Sequence, residues 1–245
     1  MKIIGIIPAR YASSRFPGKP LVDIHGKSMI QRVYEQVKGC ASLAEVVVAT
    51  DDKRIEEHVR TFAGNVVMTS EQHASGTDRC AEVVSKVSGF DIAINIQGDE
   101  PFINPLQIEL LCSLFDDQQT QIGTLIKQIE SQEDLFNENT PKVIISKEQQ
   151  AMYFSRQTIP FQRGVEKSDW LRTQTYYKHI GIYGYRVDVL KAITQLPVSP
   201  LEKTEALEQL RWIENGYRIK VAKTEFDTIA VDHPEDVDLI KKKYF

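Results

Sequence analysis

Arg10, Arg15 and Lys19 share one segment, PARYASSRFPGK from Pro8 to Lys19, with Ser13, Ser14, Gly18 and a second proline, Pro17. Guanidinium groups clamp phosphate oxygens in pairs, a lysine supplies a point charge, and glycine and serine let a backbone come close and donate. A loop of this make-up suits a ligand with several negative charges, and a nucleoside triphosphate is the inferred one. The same residues are also those of a solvated basic turn. Two isolated carboxylates add to the chemistry. Asp99 ends an apolar run in Gln97-Gly98-Asp99, and Asp232 ends Ile229-Ala230-Val231. Carboxylates so placed suit Mg²⁺, which takes one or two from the protein and leaves its remaining positions to phosphate and water. Either aspartate is equally the pattern of a turn or cap before a helix, at Asn104-Pro105 and at Pro234 respectively. The polar entry His73-Ala74-Ser75-Gly76-Thr77 offers free N–H groups to a base or ribose, or simply caps the helix that follows.

The elements needed to bring these groups together follow from the apolar runs. Lys2 to Ile7, Val46 to Ala49, Val66 to Met68 and Ile92 to Ile96 read as buried strands. Between them lie helical patterns at Ser28 to Lys38, across Ile55, Val59 and Phe62, and through Val83, Val84 and Val87. Strand and helix alternating with short connections predict a doubly wound, mostly parallel α/β sheet, with the basic loop, Thr50-Asp51 and Gln97-Gly98-Asp99 at its carboxyl edge. In the second half Ile122 to Ile129, Val143 to Ile145, Met152 to Phe154 and His179 to Tyr185 read as strands without helices between. Antiparallel strands added to the same sheet, or a small lobe, are expected there. One helical stretch is expected near Leu201 to Glu214, another from Pro234 onward, and Glu166 to Thr175, polar with a lone Trp170, is expected to be a mobile loop. The chain is read as a single domain, 1–245, with a nucleotide-binding half (1–110) and a half for a second substrate and dimerisation (111–245).

Composition removes several classes of function. With 42% hydrophobic and 26% charged residues the chain is an ordinary globular protein, and a net charge of −4 argues against a broad nucleic-acid face. Cys40, Cys80 and Cys112 have neither zinc nor C-x-x-C spacing and read as buried reduced thiols. No run approaches the ~20 apolar residues a membrane span needs, and no signal peptide is evident, so a cytoplasmic location is expected. The loop after the first strand lacks G-x-G-x-x-G, which sets aside a dinucleotide dehydrogenase.

PARYASSRFPGKPL, VVVATDD, HASGTDR, NIQGDEP, YFSRQTIP, HIGIYGYR, SPLEKTEALEQLR and VDHPEDV, in that order, make the chain resemble the CMP-Kdo synthetases, the 3-deoxy-manno-octulosonate cytidylyltransferases. The resemblance covers nearly the whole chain, about Ile3 to Asp238. It implies a nucleotide-diphospho-sugar transferase-like fold and transfer of CMP from CTP to the anomeric hydroxyl of Kdo. The products are then CMP-Kdo, for lipopolysaccharide synthesis, and pyrophosphate. It further implies that Arg10, Arg15 and Lys19 hold the triphosphate, with Ser13 and Ser14 nearby, and that Asp99 and Asp232 are Mg²⁺ ligands. Gln97, Ser75, Gly76 and Thr77 fall at nucleotide or sugar contacts, and Arg156, His179, Tyr183, Glu208 and Gln209 fall around the acid sugar. Read alone, His179 and Tyr183 could simply pack on a strand, and Glu208 and Gln209 could be solvated. Ala74, His233 and the polar insert around Trp170 depart from the pattern and bear on which octulosonate is accepted. A homodimer is the family's habit, and Phe154, Ile159 and Phe161 are expected to supply apolar surface for it. A cytidylyltransferase for another acid sugar and a nucleotide-binding regulator without catalysis are the competing readings.

Overall fold

Apolar, mostly β-branched runs form the strands of the first half because alternate side chains of each run are covered on opposite faces. The computed structural model describes residues 1–12, 16–227 and 229–245. In β1 (Ile3–Ala9) the side chains of Ile3 and Ile7 enter one core, while those of Ile4 and Ile6 enter the other. The strand β4 (Glu45–Thr50) divides in the same way, after a small hairpin of β2 (Asp23–Ile24) and β3 (Lys27–Ser28). Along with β5 (Val66–Met68) and β6 (Ile92–Asn95) these strands run parallel, with β4 and β6 on either side of β1.

The first core is roofed by α1 (Met29–Lys38), α2 (Lys53–Thr61) and α4 (Pro105–Ser113), and the second by α3 (Gly76–Lys86), α7 (Val187–Ile193) and α9 (Gln209–Glu214). Caps start these helices where the sequence supplies them. The Ser28 side chain accepts from Gln31 N, and Asp52 accepts from Arg54 N. Ser75 and Asp78 complete a reciprocal capping box on α3, as Asn104 and Gln107 do on α4.

The second half joins the same nine-stranded sheet, whose main order is β11-β7-β10-β6-β1-β4-β5. Here β7 (Ile122–Gln128) and β11 (Ile219–Lys223) are mutually parallel, and β10 (Tyr177–Arg186) lies between β6 and β7, antiparallel to both. A short extension, β8 (Lys142–Ile145) and β9 (Ala151–Ser155), pairs onto the start of β10. The antiparallel expectation thus holds: β10 and β9 run against the parallel set, and β7 and β8, which keep its direction, each pair antiparallel with β10.

Three further expectations are corrected. The stretch from Leu201 to Glu214 is two helices, α8 (Pro200–Glu205) and α9, because Ala206 takes a left-handed conformation at φ 50° and turns the chain. The segment around Trp170 is packed: a short α6 (Trp170–Thr173) buries the indole against Ile129, Leu135 and Tyr176, and its Nε1 donates to Val165 O at 3.0 Å. Phe154 is fully buried in the second core and offers no surface, whereas Phe161 is 72% exposed. The remaining helices are α5 (Gln132–Phe136) and the C-terminal α10 (Pro234–Tyr244), and no helix of the described residues is long and apolar enough to cross a membrane.

Candidate active site

Because β4 and β6 flank β1 while the chain proceeds outward on both sides, a crevice opens between the carboxyl ends of β1 and β6. A cavity of about 270 Å³ lies there. Arg10 and Lys19 line it from the loop after β1, Gln97, Gly98 and Asp99 from the end of β6, Ser75 and Gly76 from the start of α3, and Asp232 from before α10. Ser13, Ser14 and Arg15, the other members of the basic loop, lie outside the described residues.

Lys19 is the hub of the cavity. Its ammonium donates to Asp99 Oδ2 at 2.7 Å and to Val231 O at 2.8 Å, and lies 3.5 Å from Asp232 Oδ1. The chain turns just before Lys19, where Gly18 has φ 74° and Lys19 N donates to Phe16 O at 3.2 Å, and Gly18 N also donates to Tyr11 O at 2.9 Å. Asp99 and Asp232, far apart in sequence, are brought together by the backbone as well, since Val231 N donates to Asp99 O at 2.9 Å. Gly98 has no room for a side chain: a Cβ there would sit 2.6 Å from Pro8 O. That close approach is what draws the β6 loop against the end of β1.

Sequence reasoning missed two residues of this wall. Arg79, 3% exposed, lines the cavity and donates to Asp51 Oδ2 at 2.7 Å and to the Thr69 hydroxyl. The signal was present, because HASGTDR ends in an arginine and Thr50-Asp51 ends the neighbouring strand; a buried guanidinium needs a carboxylate of this kind. His73 also lines the cavity, and its Nε2 is paired with Glu82. Burial alone would raise the Glu82 pKa, but Lys86, the Ser70 N–H and His73 bring it down to about 2.

Behind the cavity a second polar group is sunk into the protein. At the N-terminus of α3 the Thr77 hydroxyl donates to Glu208 Oε2 at 2.7 Å. Burial pushes the Glu208 pKa up, against the hydroxyls of Thr77 and Ser75, which pull it down. The rings of Tyr183 and Tyr185 stack 5.9 Å apart, both edge-on to Trp212, and His179 lies 5.1 Å from Tyr183. Burial raises both tyrosine pKa values well above normal and lowers that of His179 to about 4, so the imidazole is neutral at pH 7. The Tyr183 and Tyr185 hydroxyls and Gln209 Nε2 are buried without a hydrogen-bond partner among the described residues. The Thr124 hydroxyl beside Tyr183 donates instead to the Ile180 and Ile182 carbonyls, and lies 3.2 Å from His179 Nε2.

Gln97 links the two regions, lining the cavity while its Nε2 donates to Gly181 O on β10 at 2.8 Å. Arg156 is engaged elsewhere. Its guanidinium donates to the backbone carbonyls of Glu205, Ala206 and Glu138, which fixes the β9 end against the turn that precedes Glu208.

Comparison with known proteins identifies the family. The family model described as cytidylyltransferase matches residues 4–221. A 3-deoxy-manno-octulosonate cytidylyltransferase of Parabacteroides distasonis is 60% identical, over 97% of this chain and 96% of its own. One of Phocaeicola vulgatus is 59% identical, over 97% and 95%. A solved structure of CMP:2-keto-3-deoxy-manno-octonic acid synthetase complexed with CTP superposes with a TM-score of 0.92, at 45% identity, covering 99% of this chain and 98% of that one. By these matches the chain belongs to the cytidylyltransferase family and, within it, to the 3-deoxy-manno-octulosonate cytidylyltransferases.

Proposed function

We propose that the protein transfers CMP from CTP to the anomeric hydroxyl of Kdo, releasing pyrophosphate and forming the activated sugar used in lipopolysaccharide synthesis. The observation that carries this reading is the meeting of Lys19, Asp99 and Asp232 in one cavity, at the strand-end crevice where α/β proteins bind nucleotides. In that crevice Arg10 and Lys19 hold the triphosphate; Arg15, Ser13 and Ser14, outside the described residues, are assigned to it by the resemblance alone. The capped start of α3, Ser75 to Thr77, and Gln97 contact the nucleotide. The sunken polar group of His179, Tyr183, Glu208 and Gln209 receives the acid sugar, and Arg156, held by the carbonyls of the turn before Glu208, braces that turn. Its unpartnered hydroxyls and amide are what a polyhydroxylated ligand would satisfy.

Asp99 and Asp232 would hold Mg²⁺. They are a hard, oxygen-only pair already sharing one cation, the Lys19 ammonium, and no larger cluster of three or more ligating side chains occurs among the described residues. A two-carboxylate site fits an ion that completes its shell with phosphate oxygens and water. Bound there, Mg²⁺ supplies Lewis-acid stabilisation of phosphate oxygens and acidifies the attacking hydroxyl. The protein's own part is positioning and charge: the sugar hydroxyl is oriented in line with the α-phosphorus, with no covalent intermediate on the enzyme. Lys19, once its carboxylate partners are engaged, has its charge available for the departing pyrophosphate, as has Arg10.

We place the enzyme in the cytoplasm, where CTP is made, in keeping with three buried cysteines that are not disulfide-linked. We also propose a homodimer, supported by exposed Phe161 and Met152; a monomeric mass by light scattering would remove that part of the reading. The reaction itself is tested by pyrophosphate release with CTP and Kdo. Turnover is expected to need both substrates and to stop on adding EDTA. Equal turnover with sialic acid, or none with Kdo, would overturn the assignment.

A further inference from the structure

The three members of the Lys19–Asp99–Asp232 cluster sit on three separate pieces of chain, and each piece carries an aromatic or cationic side chain to one point outside the cavity. Phe102 follows Asp99 on the loop after β6. His25 and Arg32 follow Lys19, on the β2–β3 hairpin and α1. Tyr244 and Phe245 end the chain segment that begins at Asp232 and continues as α10. These side chains are locked face to face. Phe102 stacks on Tyr244 with centroids 3.9 Å apart and planes 6° off parallel, and His25 stacks on Phe245 at 4.2 Å. The Arg32 guanidinium lies over Phe245 at 4.7 Å and Phe102 at 5.7 Å, and is itself fixed by donating to Ile24 O at 2.6 Å and His25 O at 2.9 Å. Beneath the rings Val231, Val237 and Ile240 pack on Ile24 and Met29. At the inner end Asp236 accepts from the N–H groups of Asp232 and His233, both at 2.8 Å.

The residues from Val231 onward belong to no strand of the sheet, so these contacts act together with the Val231–Asp99 backbone bond and the Lys19 bonds to Val231 O and Asp232 to set where Asp232 stands relative to Asp99. We propose that Phe102, Tyr244, Phe245 and Arg32 form a positioning clasp, with Asp236 as its inner member, that sets the spacing of the two carboxylates and hence the affinity of the site for a divalent ion with its nucleotide. The proposal rests on the reading of Asp99 and Asp232 as the metal ligands. It assigns a task in that site to five residues that do not line the cavity.

The test is Mn²⁺ affinity in the presence of CTP, read from the electron paramagnetic resonance signal of free Mn²⁺, on the full chain and without turnover. Y244A/F245A and Asp236→Ala are each expected to raise the Mn²⁺ dissociation constant about 10-fold or more, the range in which outer supports of metal ligands act. Tyr244→Phe, which keeps the stacked ring, is expected to stay within about twofold of wild type. Asp99→Asn is the control. Loss of Mn²⁺ in Asp99→Asn with an unchanged constant in Y244A/F245A overturns the clasp alone, whereas wild type binding Mn²⁺ no better than Asp99→Asn overturns the metal reading and the clasp with it. Should Y244A/F245A unfold, Arg32→Gln, which removes the cation without emptying the core, separates the same two outcomes by the same measurement.

Discussion

The cavity at the β1 and β6 ends and the polar group sunk behind Thr77 both collect groups able to ionise, yet they satisfy them in opposite ways. In the cavity, charge meets charge: Lys19 joins Asp99 and Asp232, and Arg79 joins Asp51, while His73 is hydrogen-bonded to Glu82. Behind it the groups are held neutral or nearly so by burial, as His179, Tyr183 and Tyr185 are, and several of their polar atoms find no partner among the described residues. The contrast matches what each region is proposed to bind. A charged triphosphate with its metal exchanges one set of ion pairs for another, at little net desolvation. A hydroxyl-rich sugar is recognised by neutral donors and acceptors that water is kept from satisfying. The first region should therefore reveal itself in rate and metal dependence, the second in sugar affinity and in the effect of pH on stability.

The largest effect expected is in the cavity. On the proposed roles, Lys19→Ala removes a cation facing the polyphosphate and Asp99→Asn removes a carboxylate that would hold the metal, and loss of one such electrostatic element typically costs ~10²–10³-fold in kcat. Both positions are part-exposed, at 14% and 25%, so the fold should survive and a thermal melt should show it. Near wild-type kcat in either folded variant would break the contrast, because the ion pairs would then be structural. Gly98→Ala should act on the same region indirectly. Its Cβ would meet a backbone oxygen, Pro8 O, which cannot rotate away, so the Asp99 loop must shift; a cost of ~1–3 kcal/mol in stability is expected together with slower turnover.

The buried region predicts a pH effect of definite sign. His179 has a folded pKa of about 4 against an ordinary 6.5, with burial the cause. The unfolded chain therefore binds the proton more readily, and the stability that His179 contributes is complete above pH 6.5 and lost as pH falls towards about 4. At most about 3 kcal/mol is at stake, less to the extent that the ring's open edge is screened. Denaturant melts across that interval should slope downward in wild type and flatten in His179→Gln. Glu82, with a pKa of about 2, loses its contribution only at lower pH, below its ordinary 4.5, so the two are separable. An unchanged slope in His179→Gln would mean that this imidazole is not the buried neutral base described.

The two regions are also unequally legible in the sequence. The cavity can be read because apolar runs mark parallel strands and ligand loops follow their carboxyl ends; Lys19, Asp99 and Asp232 stand out on that ground and on the resemblance, and in the fold they meet. The sunken group cannot be assembled from the apolar runs, and only the resemblance gathers His179, Tyr183, Glu208 and Gln209. Its members come from α3, β10 and α9, and nothing in HIGIYGYR announces that β10 inserts antiparallel between β6 and β7. Tertiary packing also overrides local signals elsewhere. A lone Trp170 in a polar run reads as a loop until Ile129, Leu135 and Tyr176 are found around it, and Phe154 reads as surface until β8 and β9 fold over the second core. The short β11 and the left-handed Ala206 carry no glycine or strong apolar run to betray them.

The smallest effect is the sharpest test of the contrast, because its two readouts should move in different directions. Tyr183 Oη is buried with no hydrogen-bond partner among the described residues, so in the ligand-free protein the hydroxyl costs desolvation and returns little. Tyr183→Phe keeps the ring against Trp212 and His179 and removes only that oxygen. Stability without substrate should then be unchanged or higher by up to ~1 kcal/mol, whereas KM for the sugar should rise ~5- to 10-fold, the worth of one neutral hydrogen bond. KM for CTP should not change. A variant that is less stable than wild type, with sugar KM unaltered, would show that the hydroxyl serves the fold, and the distinction between a charge-exchanging cavity and a ligand-completed floor would fail at its central residue.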